Sequence, residues 1–512
     1  MEGPATFFIL SLCCLSKTVE SLPAQSQEVL DFLTSRGWLD HFVSSLAADD
    51  VKLQAVLSDQ PDASLRSLYI YRARMAFLGT IAGIPSGGSA VLVDRGLIVR
   101  LAQCSAYSCM PADVLSSPGG LLSASGQNYR LILESALQLC MHVVKSLGFN
   151  NHIAAVQILQ FVSANLDVFT HIVRSGAKPL SCEHLDLVSE VVRLISYAAT
   201  EADLINSTDL VDLHAQVDHC LRQMLWLLPA FADPEPRLAY LTRLASPGGG
   251  FPSAAGAASA GRLSPAQRSA AEIASLSILS HILRYCCRSM LQNGAAVKKC
   301  RPVFTPEGKQ HPHMSTTGAT ASLSILSRTI RYLSQHVGRL QNKVEEYRRK
   351  ISQQADYTEQ DVSLYVDSVD TNLSFLSILD RRNLVAQRLK SLLTSSRRQL
   401  ELAQYCIELC LFMLWRHVEY FSTERLQQKP SDLANSPMVM LKTSLLENNA
   451  SPAVDATVSK SEVCGDVDDL WFAKTQKCLE MIQNLVGADD QQTAFNTAAL
   501  RYLRRLVKLR LS

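Results

Sequence analysis

YRLILESALQLCMHVVKSLGFNNHIAAVQILQFVSANLDVFTHIVR, residues 129–174, decides the fold class. From Leu133 onward, Leu133, Ala136, Leu137, Cys140, Val143, Val144 and Leu147 recur at spacings of three and four, the stripe of an amphipathic helix. Residues 152–174 repeat the form with Ile153, Val156, Leu159, Phe161, Val162, Leu166, Phe169, Ile172 and Val173. Between the two lies Gly148-Phe149-Asn150-Asn151, a helix stop followed by a new start. Gly176 and Pro179 close the second helix. Outward from this core, residues 183–199 and 209–228 read as two more helices, the latter stopped by Pro229. Short polar breaks between helices of this length make antiparallel neighbours. Strand-like alternation is rare. The expected fold is all-α, an irregular α-solenoid of stacked antiparallel helix pairs of HEAT/armadillo type.

The chain has 512 residues, 47% hydrophobic and 19% charged. That is enough apolar material for a continuous core and too little charge for disorder. The formal net charge of +2 gives no sign of a nucleic-acid-binding domain. The 14 cysteines lie mostly in helical patterns, as with Cys140, Cys220, Cys286, Cys406, Cys410 and Cys478. Free cysteine behaves as a small buried hydrophobe, so these read as reduced core thiols, an intracellular habit. No apolar run reaches the roughly 18 residues a membrane span needs. Phe7 to Leu15 is apolar, but no Lys or Arg precedes it and Glu2 is the one charge there. A secretory signal wants a basic start, so residues 1–24 read as an atypical N-terminus, a plain first helix or an irregular gene start.

The chain divides by composition. Residues 25–245 form the first helical part, and 246–265, rich in Gly, Ala, Ser and Pro, form a flexible linker. Residues 266–427 form the second helical part. Residues 428–468, with Pro430, Pro437 and Pro452, read as a long loop, and 469–512 as C-terminal helices. Ser275-Leu-Ser-Ile-Leu-Ser-His-Ile-Leu-Arg-Tyr285 echoes Ser322-Leu-Ser-Ile-Leu-Ser-Arg-Thr-Ile-Arg-Tyr332, and Leu-Ser-Ile-Leu returns at Leu376 to Leu379. Helical repeats run at about 40–47 residues, so the echo favours a stack over a closed bundle.

Residues 322–352 are the most regular element. Leu323, Leu326, Ile330, Leu333, Val337, Leu340, Val344, Tyr347 and Ile351 alternate spacings of three and four. Glu345 with Arg349 and Glu346 with Lys350 make i,i+4 pairs. Two readings stand, a coiled coil with a partner chain or a long helix packed within its own chain. Other apolar helices are at hand to cover the seam, which favours the second.

Reactive constellations were sought. There is no GxGxxG, P-loop, GxSxG, HExxH or paired CxxC. Cys300 with His311 and His313 lacks the paired spacing of a zinc site and reads as loop. His142, His152, His171, His214 and His219 lie on helices with no nucleophile–acid arrangement around them. No enzyme, cofactor, metal or small-molecule substrate is expected. The remaining candidate is the helix at 495–511. Ala499, Tyr502, Leu503, Leu506 and Val507 share one face, and Arg501, Arg504, Arg505 and Lys508 share an adjacent one. This side-by-side pattern serves as a terminal cap, as a docking site for an acidic or amphipathic partner helix, or as a membrane-surface contact.

Several segments resemble the C-terminal part of the large inner-ring scaffold nucleoporins, the nucleoporin 205 (Nup192-like) family. They are Tyr71-Arg-Ala-Arg-Met-Ala-Phe-Leu78, Arg95-Gly-Leu-Ile-Val-Arg-Leu-Ala-Gln-Cys104, Tyr129 to Phe169, Lys343-Val-Glu-Glu-Tyr-Arg-Arg349 and Leu470-Trp-Phe472. The resemblance runs from about residue 25 and rests on the order of core and turn patterns. It implies an α-solenoid in the nuclear pore at the nuclear envelope, supporting nucleocytoplasmic transport. It also implies contacts with an adaptor nucleoporin helix and with disordered linker nucleoporins, and no direct nucleic-acid contact. Family members are several times longer, so this chain reads as a truncated form, and functions of the missing N-terminal region do not carry over. The alternative is an intracellular helical-repeat scaffold outside the pore.

Overall fold

The structure is a computed structural model that describes residues 3–21, 25–58, 65–85, 87–116, 123–147, 151–175, 182–202, 227–232, 265–292, 303–304, 323–353, 357 and 377–427. Among these residues every regular element is a helix. The chain divides into two compact units, Met1–Leu227 and Leu228–Ser512.

The first unit contains α1 (Gly3–Ser21), α2 (Ser26–Ser35), α3 (Trp38–Ser44), α4 (Leu46–Leu57), α5 (Leu65–Ala82), α6 (Gly88–Asp94), α7 (Leu97–Ala102), α8 (Ala112–Ser116), α9 (Ala124–Leu147), α10 (His152–Ala164), α11 (Leu166–Ser175) and α12 (Cys182–Ala202). Three of them, α5, α9 and α12, lie side by side and run the same way. Tyr71 Oη donates to the Ile132 carbonyl at 3.3 Å, and two to three turns later Gly79 faces the His142 ring. Glu134 is similarly level with Asp186, and His142 with Glu190 and Arg193. Against this row pack α4 and α10, and α7 packs on α10.

Turn chemistry sets the corners. Gly96, inside the Arg95–Cys104 segment, has φ of 71° and starts α7 directly after α6; a left-handed backbone there is cheap only for glycine. Gly88 is a close-approach position, since a Cβ there would lie 1.9 Å from the Ile81 carbonyl oxygen. That contact folds α6 back onto the end of α5, where Ser89 Oγ donates to the Ala82 carbonyl at 2.7 Å.

Residues 152–174 are not one helix. The chain bends by 73° between α10 and α11. Asn165 makes the bend: its Nδ2 donates to the Phe161 carbonyl at 2.9 Å, and its own carbonyl accepts from Phe169 N at 3.0 Å, so it ends one helix and starts the next. The apolar stripe continues across the corner, which is why periodicity alone runs the two together. Nor does Pro229 stop a helix. It lies within α13 (Leu227–Ala232). Residues 209–226 lie outside the described residues.

The second unit is dominated by α14 (Pro265–Gln292), α15 (Leu323–Ser352) and α16 (Ile378–Gln427). α16 packs on both of the others. Gln399 Nε2 donates to Ser269 O at 3.2 Å, and Cys406 Sγ to Leu276 O at 3.8 Å, so α14 and α16 run parallel. Tyr347 and Ile351 pack on Leu384, Val385 and Leu389 with Tyr357, so α15 and α16 form an antiparallel hairpin. The heptad stripe of α15 is covered here: Leu326, Ile330, Leu333, Val337, Leu340 and Val344 are all buried within the chain. Burial of side chains of this kind is worth about 1.5–3 kcal/mol each. Glu345 pairs with Arg348, not with Arg349, while Glu346 holds Lys350 at 3.6 Å.

Candidate interaction site

The C-terminal stripe of Arg501, Tyr502, Leu503, Arg504, Arg505, Leu506, Val507 and Lys508 lies outside the described residues, as do Cys300, His311, His313, His214, His219, Leu470 to Phe472 and the segments 246–264 and 428–512.

Within the first unit, the segment Tyr71–Leu78 is interior. Tyr71, Arg74, Met75, Phe77 and Leu78 are buried on α5. Tyr71 Oη shares a 2.9 Å hydrogen bond with Tyr107 Oη, and Tyr129 Oη donates to the Tyr107 carbonyl at 2.6 Å. Burial drives the ionisation of all three phenols upward, so they remain neutral donors. Arg74 forms a buried ion pair with Asp49 of α4, with its guanidinium over the Phe8 ring of α1 at 5.8 Å. Asp50 accepts from Ala106 N at 2.8 Å. These bonds tie α1, α4, α5, α9 and the turn at Ser105–Tyr107 together. The chemistry of these groups is positional.

The described thiols are free. Burial pushes Cys104, Cys140 and Cys286 each up to about 12, and drives Cys287, Cys406 and Cys410 upward as well. Protonated thiols of this kind are poor nucleophiles. Among the described residues no three His, Cys, Asp or Glu side chains are placed to hold a metal ion, and no single helix is long and apolar enough to cross a membrane.

Charged groups do gather across the outer row of the first unit. Arg130 pairs with Glu134 at 3.3 Å on α9, and Arg193 with Glu190 at 3.1 Å on α12. Burial, with Asp186 close by, pushes the Glu134 carboxyl up to about 6 against the pull of Arg130. Burial and Glu183 likewise push Asp186 up to about 6. Sequence reading missed this ridge and the Asp49–Arg74 pair. A signal for the second was present, since Arg74 stands one turn from Tyr71 and one turn from Leu78 on an otherwise apolar face.

The described residues form amphipathic helices joined by internal polar ties, and the chain is similar to known proteins. Residues 2–200 match the family described as nuclear pore complex scaffold, nucleoporins 186/192/205. Human nuclear pore complex protein Nup205 is 26% identical over 535 aligned residues, which take in 98% of this chain and 26% of that protein. Nup205 of Drosophila melanogaster is 33% identical over 237 residues, 45% of this chain and 11% of the relative. Over these stretches the chain is similar to the Nup205/Nup192 nucleoporins. It spans about a quarter of the length of its human relative, at 26%. The matched region from residue 2 takes in α1, which packs on α5 through buried Ala5, Leu12 and Val19.

Proposed function

We propose that the chain is a structural component of the nuclear pore complex inner ring, located at the nuclear envelope and supporting nucleocytoplasmic transport by holding other nucleoporins. The observation that carries this reading is the alignment to human Nup205 along 98% of the chain, joined to an all-helical architecture whose buried polar groups are internal ties. The chain acts by binding and not by catalysis. Its partners are an adaptor nucleoporin helix and disordered linker segments of other nucleoporins. The C-terminal helix, with Tyr502, Leu503, Leu506 and Val507 beside Arg501, Arg504, Arg505 and Lys508, is the docking element for an acidic or amphipathic partner helix. The Gly/Ala/Ser/Pro segment 246–265 and the Pro-interrupted 428–468 are the spacers that separate the parts.

The test is affinity purification of the tagged full chain from cells. Inner-ring nucleoporins should co-purify, and Leu503→Asp with Leu506→Asp should abolish their recovery. Arg501, Arg504, Arg505 and Lys508 changed together to Gln should weaken capture at unchanged thermal stability. Recovery of no nucleoporin would leave a helical scaffold outside the pore.

A further inference from the structure

The second half of α16 has two faces. Ala403, Cys406, Cys410 and Met413 are buried, and Cys406 Sγ donates to the Leu276 carbonyl of α14 at 3.8 Å. Around the helix from them, Leu402, Tyr405, Leu409 and Phe412 form a row at spacings of three, four and three. Tyr405 is 38% exposed and the other three are half-buried, so the row is not closed by the helices that bury the first face. Apolar positions at this spacing are the seat of an amphipathic helix.

Charge selects which helix. Between Gln399 and Trp415 the charged residues are Glu401 and Glu408, with no Lys or Arg. That sign is local, since Arg388, Lys390, Arg397 and Arg398 stand just before it on α16. In the same compact unit, residues 495–511 carry Arg501, Arg504, Arg505, Lys508 and Arg510 and no acid, beside the stripe of Tyr502, Leu503, Leu506 and Val507. Arg501 and Lys508 are seven residues apart, as are Glu401 and Glu408, so two helices laid side by side bring both pairs together. Residues 469–486 offer no such match, because Asp469 and Glu480 mix there with Lys474 and Lys477. The connection is long enough. Tyr405 lies about 33 Å back along α16 from Gln427 at 1.5 Å per residue. A flexible spacer of the length of 428–468 spans about 32–38 Å on average.

We propose that residues 495–511 of this chain seat on the outer face of α16, with Tyr502, Leu503, Leu506 and Val507 on the Leu402–Phe412 row and Arg501 and Lys508 against Glu401 and Glu408. This rests on the helical reading of 495–511 used for the proposed function and names what regulates that element. A partner helix captures the stripe by displacing it from α16.

The test is hydrogen exchange on the purified full chain, with no other nucleoporin present. Amides of 499–511 should be protected, at a level independent of chain concentration. Glu401→Arg with Glu408→Arg should speed their exchange about tenfold or more, by turning two attractions into repulsions. Protection at 326–344 should stay unchanged, which shows that the hairpin is still folded. Arg501→Glu with Lys508→Glu should have the same effect, and the four changes together should restore protection. Fast exchange of 499–511 in the native chain, insensitivity to the Glu401/Glu408 change, or no recovery in the combined variant would overturn the proposal. So would protection that grows with concentration alongside a dimer in light scattering, which marks a second copy as the occupant. Failure to recover nucleoporins from cells, with protection and its rescue by the charge swap intact, would sink the partner reading and support the seat.

Discussion

Between Gly3 and Ala202 the chain is cut into short helices, whereas α14, α15 and α16 run for 28, 30 and 50 residues. The first unit joins many short helices through polar ties, and the second joins long helices along an apolar seam. Every helix end leaves backbone groups without helical partners, so a fold made of many short helices multiplies those debts. In the first unit Asn165, Ser89, Asp50 and the three buried tyrosines settle them, and Arg74 with Asp49 clamps two helices. In the second unit the hairpin seam is an almost unbroken apolar stripe, and Gln399, Cys406 and His417 add ties across it and its neighbours. His417 Nε2 accepts from Val303 N at 3.2 Å and Phe304 N at 3.0 Å, which puts the proton on Nδ1, donating to the Met413 carbonyl at 2.7 Å.

The largest expected effect is in the first unit. Arg74→Ala strands Asp49 inside the protein, and removing one partner of a buried pair costs about 3–5 kcal/mol. Hydrogen exchange should show the loss across 65–147 and leave 323–417 unaltered. Equal loss in both would break the distinction between the units. Next comes His417→Phe, which leaves the Val303 and Phe304 N–H groups without an acceptor, at about 1–3 kcal/mol each at most. Its effect should be confined to the second unit.

That histidine also carries a pH signature. Burial lowers His417 from 6.5 to about 4. A depressed pKa means stability that is full above 6.5 and lost as pH falls through about 4. His417→Phe should flatten that acid-side loss in the second unit. In the first unit His184, held down to about 4 by burial and His171, acts the same way. There Glu134 and Asp186 oppose it. Their raised values mean stability that is present below 4.5 and 3.8 respectively and lost as pH rises through about 6. The smallest effect follows: Glu134→Gln with Asp186→Asn should raise the melting temperature modestly at neutral pH and do nothing at acid pH. A drop at neutral pH would mean that the ion pair with Arg130 outweighs the cost of burial.

The helices were legible because a 3.6-residue period survives in sequence wherever one face is buried. The covering of the α15 stripe was legible too, since the same chain offered apolar helices to do it. The bend at Asn165 was not, because the apolar stripe runs through it and only a side-chain bond to Phe161 marks the corner. Identical Leu-Ser-Ile-Leu segments do not carry their own burial. Burial of Leu276 and exposure of Ile378 are decided by which helix lies alongside, and four residues do not encode that. The Tyr71–Leu78 segment was legible as core, but the partner of Arg74 lies 25 residues away on another helix. The C-terminal docking stripe rests on its spacing alone.

Imaging of the tagged chain at endogenous level decides whether the proposed pore role holds. A punctate nuclear rim coincident with inner-ring nucleoporins is the predicted result, and a diffuse signal with no rim would contradict it.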